Sequence, residues 1–188
     1  MDKMWNIFNS VRELPAIYLG ENSFTLLYFF LKGCQIYGEM SEGRKINFLS
    51  GFDKFVQDKY QMSETYKYSD IIRIICTNEE QALYKFYALV DEFLESQQID
   101  KIFIPEVEVK EEVALNNIWT IFYKVRENPE EYLGEPSLKL LNAFLTGCRT
   151  YANGKCKSFL LGFHKFIRLK YHVTDWKYKR RMYIAFVI

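Results

Sequence analysis

Residues 11–23 read Val-Arg-Glu-Leu-Pro-Ala-Ile-Tyr-Leu-Gly-Glu-Asn-Ser, and residues 125–137 read Val-Arg-Glu-Asn-Pro-Glu-Glu-Tyr-Leu-Gly-Glu-Pro-Ser. The second stretch is the first displaced by 114 positions (125 − 11). Each carries the same physical instructions. A proline disfavours helical geometry at the residue before it and lacks an N–H, so a helix must end there. A glycine follows where a left-handed backbone lets a short turn reverse. A serine then stands where its hydroxyl can cap the next helix.

The match runs outward in both directions. Trp119 answers Trp5, Phe122 answers Phe8, Leu141 answers Leu27, Phe144 answers Phe30 and Tyr151 answers Tyr37. After a three-residue deletion, Phe159, Leu160, Phe163, Phe166, Ile167 and Tyr171 repeat Phe48, Leu49, Phe52, Phe55, Val56 and Tyr60. Trp176-Lys177-Tyr178 then answers Tyr66-Lys67-Tyr68, and Ile188 falls opposite Asn78.

Apolar residues recur at helical spacing throughout. A first helix is expected over 2–14, stopped by Pro15, with Tyr18 and Leu19 turned into the core and Gly20 and Gly134 at positive φ. Ser23 caps a second helix striped by Leu27, Phe30, Leu31 and Cys34. Gly33, an unfavourable residue inside a helix, recurs as Gly147, which implies close approach of another helix. The third helix is expected from Phe48 to Tyr60. The β-branched run 69–77 is read as helix, capped by Ser69 or Asp70, and Asn78 caps a long fifth helix striped by Leu83, Phe86, Leu89, Val90 and Phe93.

The expected fold class is therefore all-α: two homologous helical units in tandem, the second lacking the last long helix. Residues 1–99 form the first unit, 100–112 a connector and 113–188 the second. The apolar end, Met182 to Ile188, is expected to lie against the first unit, with Phe186 and Ile188 buried.

The chain has 188 residues, 49% of them hydrophobic and 18% aromatic, and a net charge of +1. Cores can be well filled, and whole-molecule charge does not call for nucleic acid or an anionic membrane. No run of 18 apolar residues and no signal-type N-terminus occurs, so a cytoplasmic location is expected. Cys34, Cys76, Cys148 and Cys156 lack metal-ligand spacing and read as reduced thiols. With His164 and His172 the only histidines, no metal site and no cofactor are expected. Neither a P-loop nor a nucleophile–base motif is present. The Arg-x-x-Pro cassette looks like a segment of the gyrase-type ATPases, but their Mg-binding helix and glycine-rich loop are missing.

Charge is distributed unevenly. Glu106, Glu108, Glu111, Glu112, Glu127, Glu130, Glu131 and Glu135 gather between residues 106 and 135. They form the candidate partner-binding surface, since such a stretch speeds capture of a basic protein. A basic, aromatic segment follows at Arg168, Lys170, His172, Lys177, Lys179, Arg180 and Arg181, with Tyr171, Trp176 and Tyr178. It supports the alternative of a single-stranded nucleic-acid module. A helical enzyme whose site forms only in three dimensions is a further alternative.

The repeated order of an Arg-x-x-Pro-x-x-Tyr-Leu-Gly turn, a Ser-capped helix with Leu-x-x-Phe-Leu-x-Gly, and a Gly-Phe-x-x-Phe helix resembles small all-helical bacterial proteins of polymorphic-toxin and contact-dependent growth inhibition loci. Arg12, Pro15, Tyr18, Leu19, Gly20, Ser23, Gly33, Gly51 and Phe52 carry the resemblance, with their second-unit partners. It implies an immunity protein that binds and neutralises a cognate toxin domain; the acidic stretch points to a basic nuclease, and no catalysis, small-molecule substrate or membrane partner is expected.

Overall fold

A computed structural model describes residues 3–97, 111–153 and 155. Among these residues all regular structure is helical: α1 (Lys3–Glu13), α2 (Pro15–Leu19), α3 (Phe24–Glu42), α4 (Phe52–Tyr60), α5 (Tyr68–Ile75), α6 (Glu79–Gln97), α7 (Glu111–Glu127), α8 (Pro129–Leu133) and α9 (Leu138–Tyr151). The C-terminal run 182–188 and the residues that answer α4 and α5 in the second half of the sequence lie outside the described residues.

The duplicated cassette builds the same local structure twice. α1 stops at Glu13 because Leu14, ahead of Pro15, is held at φ −136°. Asn128, ahead of Pro129, is held at φ −135° in the same way. Pro15 and Pro129 then open the short helices α2 and α8, where a missing N–H costs nothing. Gly20 (φ 84°) and Gly134 (φ 73°) close them in the left-handed conformation. Ser23 Oγ accepts from Leu26 N–H at 3.2 Å to start α3, and Ser137 Oγ accepts from Leu140 N–H at 3.4 Å to start α9. Tyr18 and Tyr132, expected in the core, are half-buried; Leu19 and Leu133 are the cassette's buried anchors. A phenol that keeps its hydroxyl wet lies at the edge, whereas leucine has nothing to solvate.

α3 is the axis of the molecule, buried along most of its length from Phe24 to Gly38. Its closest neighbour is α9, and glycines make the crossing possible. A Cβ on Gly33 would stand 2.0 Å from the Phe144 carbonyl oxygen, and one on Gly147 would stand 2.0 Å from the Phe30 carbonyl oxygen. The thiols follow the same reciprocity: Cys34 Sγ donates to Gly147 O at 3.2 Å, and Cys148 Sγ to Gly33 O at 3.3 Å. Cys34 is fully buried, which pushes its thiol pKa well up. It is a packing group held in the reactive thiol's least reactive form.

Three details depart from the sequence reading. α4 begins at Phe52, not Phe48, because Leu49 (φ 57°) and Gly51 (φ 83°) turn the chain and send Phe48 onto Trp5 and Phe8. α5 takes its N-terminal acceptors from Asp53, which receives Tyr68 N–H at 2.8 Å, and from Asp70; Ser69 is buried in the first turn. α7 starts at Glu111, two residues inside the stretch read as connector.

α6 closes the first half. Asn78 Oδ1 accepts Gln81 N–H at 2.8 Å, as expected of a cap. The stripe Leu83, Phe86, Leu89, Val90 and Phe93 is buried, with Phe86 ringed by Phe8, Phe24, Phe52 and Tyr68.

Candidate functional site

Of the eight acidic residues singled out, Glu106 and Glu108 lie outside the described residues. Glu111 and Glu112 are the first two residues of α7. Glu127 is the last residue of α7, Glu130 and Glu131 are in α8, and Glu135 is in the turn that follows. A helix rises about 1.5 Å per residue, so Glu111 and Glu127 stand about 24 Å apart along α7. The structure thus gathers Glu127, Glu130, Glu131 and Glu135 at the α7–α8 corner and leaves Glu111 and Glu112 at the far end.

All four corner glutamates are exposed, and among the described residues none of them makes an ion pair. The corner is nevertheless fixed. Lys32 of α3 donates to the backbone carbonyls of Tyr132 at 2.7 Å and Glu131 at 3.3 Å, tying α8 to the central helix. Burial lowers the Lys32 pKa, the Lys67 charge lowers it further, and Glu131 opposes both. Its ammonium serves the helix end rather than any glutamate side chain. Nothing in the sequence singled it out, because its partners are carbonyls 99 and 100 positions away.

A second feature sits beside the corner. Phe122, Val125, Arg126, Pro129, Leu133, Pro136, Ser137 and Leu141 line a groove of about 270 Å³. Every one of them has a counterpart 114 positions earlier: Phe8, Val11, Arg12, Pro15, Leu19, Asn22, Ser23 and Leu27. In the first half that surface carries α6. Phe8 meets Phe86 edge-on at 6.0 Å and Tyr87 at 5.7 Å. The Arg12 guanidinium grips Asp91 through both nitrogens, at 2.6 and 2.5 Å, and lies 5.2 Å from the Tyr87 ring centroid. Those hydrogen bonds raise the Arg12 pKa and lower that of Asp91, against the smaller effect of burial. Ser23 Oγ donates to Glu79 Oε2 at 2.7 Å.

A third feature is an open cleft of about 540 Å³ where α1 and α2 face α6, with Pro15, Ala16 and Ile17 on one side and Tyr84, Ala88 and Asp91 on the other. Leu14, Ile17 and Tyr84 are among its exposed apolar groups.

Among the described residues no cluster of His, Cys, Asp and Glu could hold a metal ion, and no helix is long and apolar enough to cross a membrane. The basic aromatic segment at 168–181 lies outside the described residues. Comparison with known families, with curated proteins and with solved structures finds no match to this chain.

Proposed function

We propose that this chain is a bacterial, cytoplasmic protein-binding scaffold of the immunity type: two homologous helical units in tandem that neutralise a basic toxin domain by stoichiometric binding rather than by catalysis. The tandem reading is supported by the paired proline-opened helices, the paired left-handed glycines and the reciprocal glycine crossing of α3 and α9.

The observation that carries the functional reading is the α7–α8 corner, where Glu127, Glu130, Glu131 and Glu135 are exposed, without ion pairs among the described residues, and mounted on a helix pinned by Lys32. A fixed cluster of exposed carboxylates raises the capture rate of a basic partner and asks for no reactive group. A nuclease that must bind phosphate presents such a surface.

The test is co-expression with the toxin domain encoded by the neighbouring gene. Growth should be rescued and a one-to-one complex should purify. Changing Glu127, Glu130 and Glu131 together to lysine should slow association at least about tenfold and flatten its salt dependence, with the fold intact. An unchanged association rate would move the interface away from this corner.

A further inference from the structure

α3 and α9 run side by side in the same direction, and the contacts that join them come in exchanged pairs. A Cβ on Gly33 would stand 2.0 Å from the Phe144 carbonyl oxygen, and one on Gly147 2.0 Å from that of Phe30. Cys34 Sγ donates to Gly147 O, and Cys148 Sγ to Gly33 O. Tyr18 meets the Phe30 ring edge-on at 6.0 Å, and Tyr132 meets the Phe144 ring at 6.3 Å. The Tyr37 and Tyr151 rings, one from each helix, lie 6.3 Å apart. Exchanged pairs of this kind define an isologous interface, the contact that two copies of one surface make across a two-fold axis.

The residues at this seam are the same on both sides. Phe30, Gly33, Cys34 and Tyr37 are answered by Phe144, Gly147, Cys148 and Tyr151, and Leu26, Leu27 and Leu31 beside them by Leu140, Leu141 and Leu145. Other positions of the two helices differ: Tyr28, Lys32, Gln35 and Ile36 correspond to Asn142, Thr146, Arg149 and Thr150. Since α9 fits α3 through residues that α3 also carries, α3 fits a second α3. The close approach needs a glycine and a facing carbonyl from each helix, and α3 supplies both.

The polar fixtures around the seam can be supplied in the same way. Lys32 Nζ donates to the Tyr132 carbonyl at 2.7 Å. In a second copy the matching carbonyl is that of Tyr18, at the same place in its proline-opened helix. Tyr151 Oη donates to Glu42 Oε1 at 2.5 Å, and the matching phenol is Tyr37. Lys139, which pairs with Glu21 at 2.5 Å, is the exception, because Thr25 stands in its place and is held by Glu79. That ion pair is exposed, so its loss costs little.

We propose that the seam face of α3, with α2 beside it, is a self-complementary pairing surface whose partner is the same face of a second copy of this chain, and that α9 and α8 occupy it in cis. Covalent connection gives α9 an effective concentration on the order of millimolar, so the cis arrangement wins at ordinary protein concentrations. A second copy takes the face when α9 is kept from it. The face uses none of the carboxylates of the α7–α8 corner.

The experiment uses the full chain and two variants of it, followed by sedimentation velocity and circular dichroism at about 100 μM, well below the effective concentration in cis. Gly147→Leu keeps α9 helical but bars it from the Phe30 carbonyl, leaving the α3 face intact. The unaltered chain should sediment as a monomer, and Gly147→Leu as a helical dimer of twice the mass whose melting temperature rises with protein concentration. Adding Gly33→Leu to Gly147→Leu should abolish the dimer. A Gly147→Leu chain that stays monomeric, folded or unfolded, would overturn the proposal, and so would a dimer that survives Gly33→Leu. Thr146→Lys checks the exchange symmetry with the seam undisturbed. Its ammonium should reach the Tyr18 carbonyl as Lys32 reaches that of Tyr132, and the melting temperature should hold or rise; a fall of more than about 4 °C would mean that the surroundings of α3 and α9 are not interchangeable and would equally overturn it.

Discussion

Phe8 and Phe122 hold the same place in the duplicated pattern, yet Phe8 is 1% exposed and Phe122 is half-buried. The same contrast runs through Leu27 and Leu141 and through Ser23 and Ser137. Local structure does not separate the two sets, since the capping serines, the prolines and the left-handed glycines agree in both halves. What separates them is α6, a helix that reaches the first surface from about 60 residues downstream in sequence. Secondary structure is thus dictated within each cassette, whereas burial is conferred by whatever lies on top.

The seam shared by the halves gives a large expected effect. Gly33→Ala and Gly147→Ala each drive a methyl group into a backbone carbonyl at 2.0 Å, and backbone at a helix crossing cannot step aside. Each should cost about 3 kcal/mol, the upper end of what overpacking does. Gly38→Ala meets the Ile46 side-chain terminus at 2.3 Å and the Tyr151 ring at 2.7 Å, groups with room to rotate, and should cost less. Urea unfolding of the three variants checks the order. Because the contact is reciprocal, unequal losses for Gly33 and Gly147 would break the symmetry between α3 and α9.

A direct test of the comparison is to truncate the two phenylalanines. Phe8→Ala removes a ring enclosed by Phe48, Phe86 and Tyr87, and should cost about 3–5 kcal/mol. Phe122→Ala removes a half-buried ring and should cost about 1–2 kcal/mol, in proportion to the apolar area it hides. Chemical denaturation of the full-length variants measures both. Equal losses would break the contrast between the two positions.

Much of this was legible beforehand. Repetition with one constant displacement announced the cassette, its helix stops and its caps, because proline, glycine and serine act on their immediate neighbours. The recurrence of Gly33 as Gly147 pointed to a tight crossing for the same local reason: glycine inside a helix is otherwise unfavourable. The early turn at Leu49 was not legible, since Phe48 and Leu49 continue the helical stripe and only the pull of Trp5 and Phe8 takes Phe48 out of it. The acidic corner could be read as composition, but not its division by the length of α7. Lys32 and the groove were invisible to a linear reading. The groove needed the three-dimensional placement of residues from α7, α8 and α9.

The smallest effect expected is electrostatic and distinguishes the two capping serines. Glu79 accepts hydrogen bonds from Ser23 Oγ, Thr25 N–H and Thr25 Oγ1, each at 2.7 Å, so α6 braces the start of α3 through one carboxylate. Burial raises the Glu79 pKa, but the bonds from Thr25 and Ser23 together outweigh it and the net shift is downward. A carboxyl whose folded pKa lies below its unfolded one stabilises fully above the unfolded value, and that stability is lost as the pH falls through the ordinary carboxylate range to the depressed one. Raising the pH changes nothing. Glu79 is exposed, so the contribution is about 1 kcal/mol after solvent screening. Ser23→Ala should therefore lose both a helix cap and a pH-dependent bond, and its deficit in melting temperature should shrink between about pH 7 and about pH 3. Ser137→Ala should lose the cap alone, with a deficit that stays constant over the same range, because Ser137 has no carboxylate partner among the described residues. If the two serines gave parallel curves, Glu79 would not be bracing α3, and the polar half of the contrast between the two cassettes would fall with it.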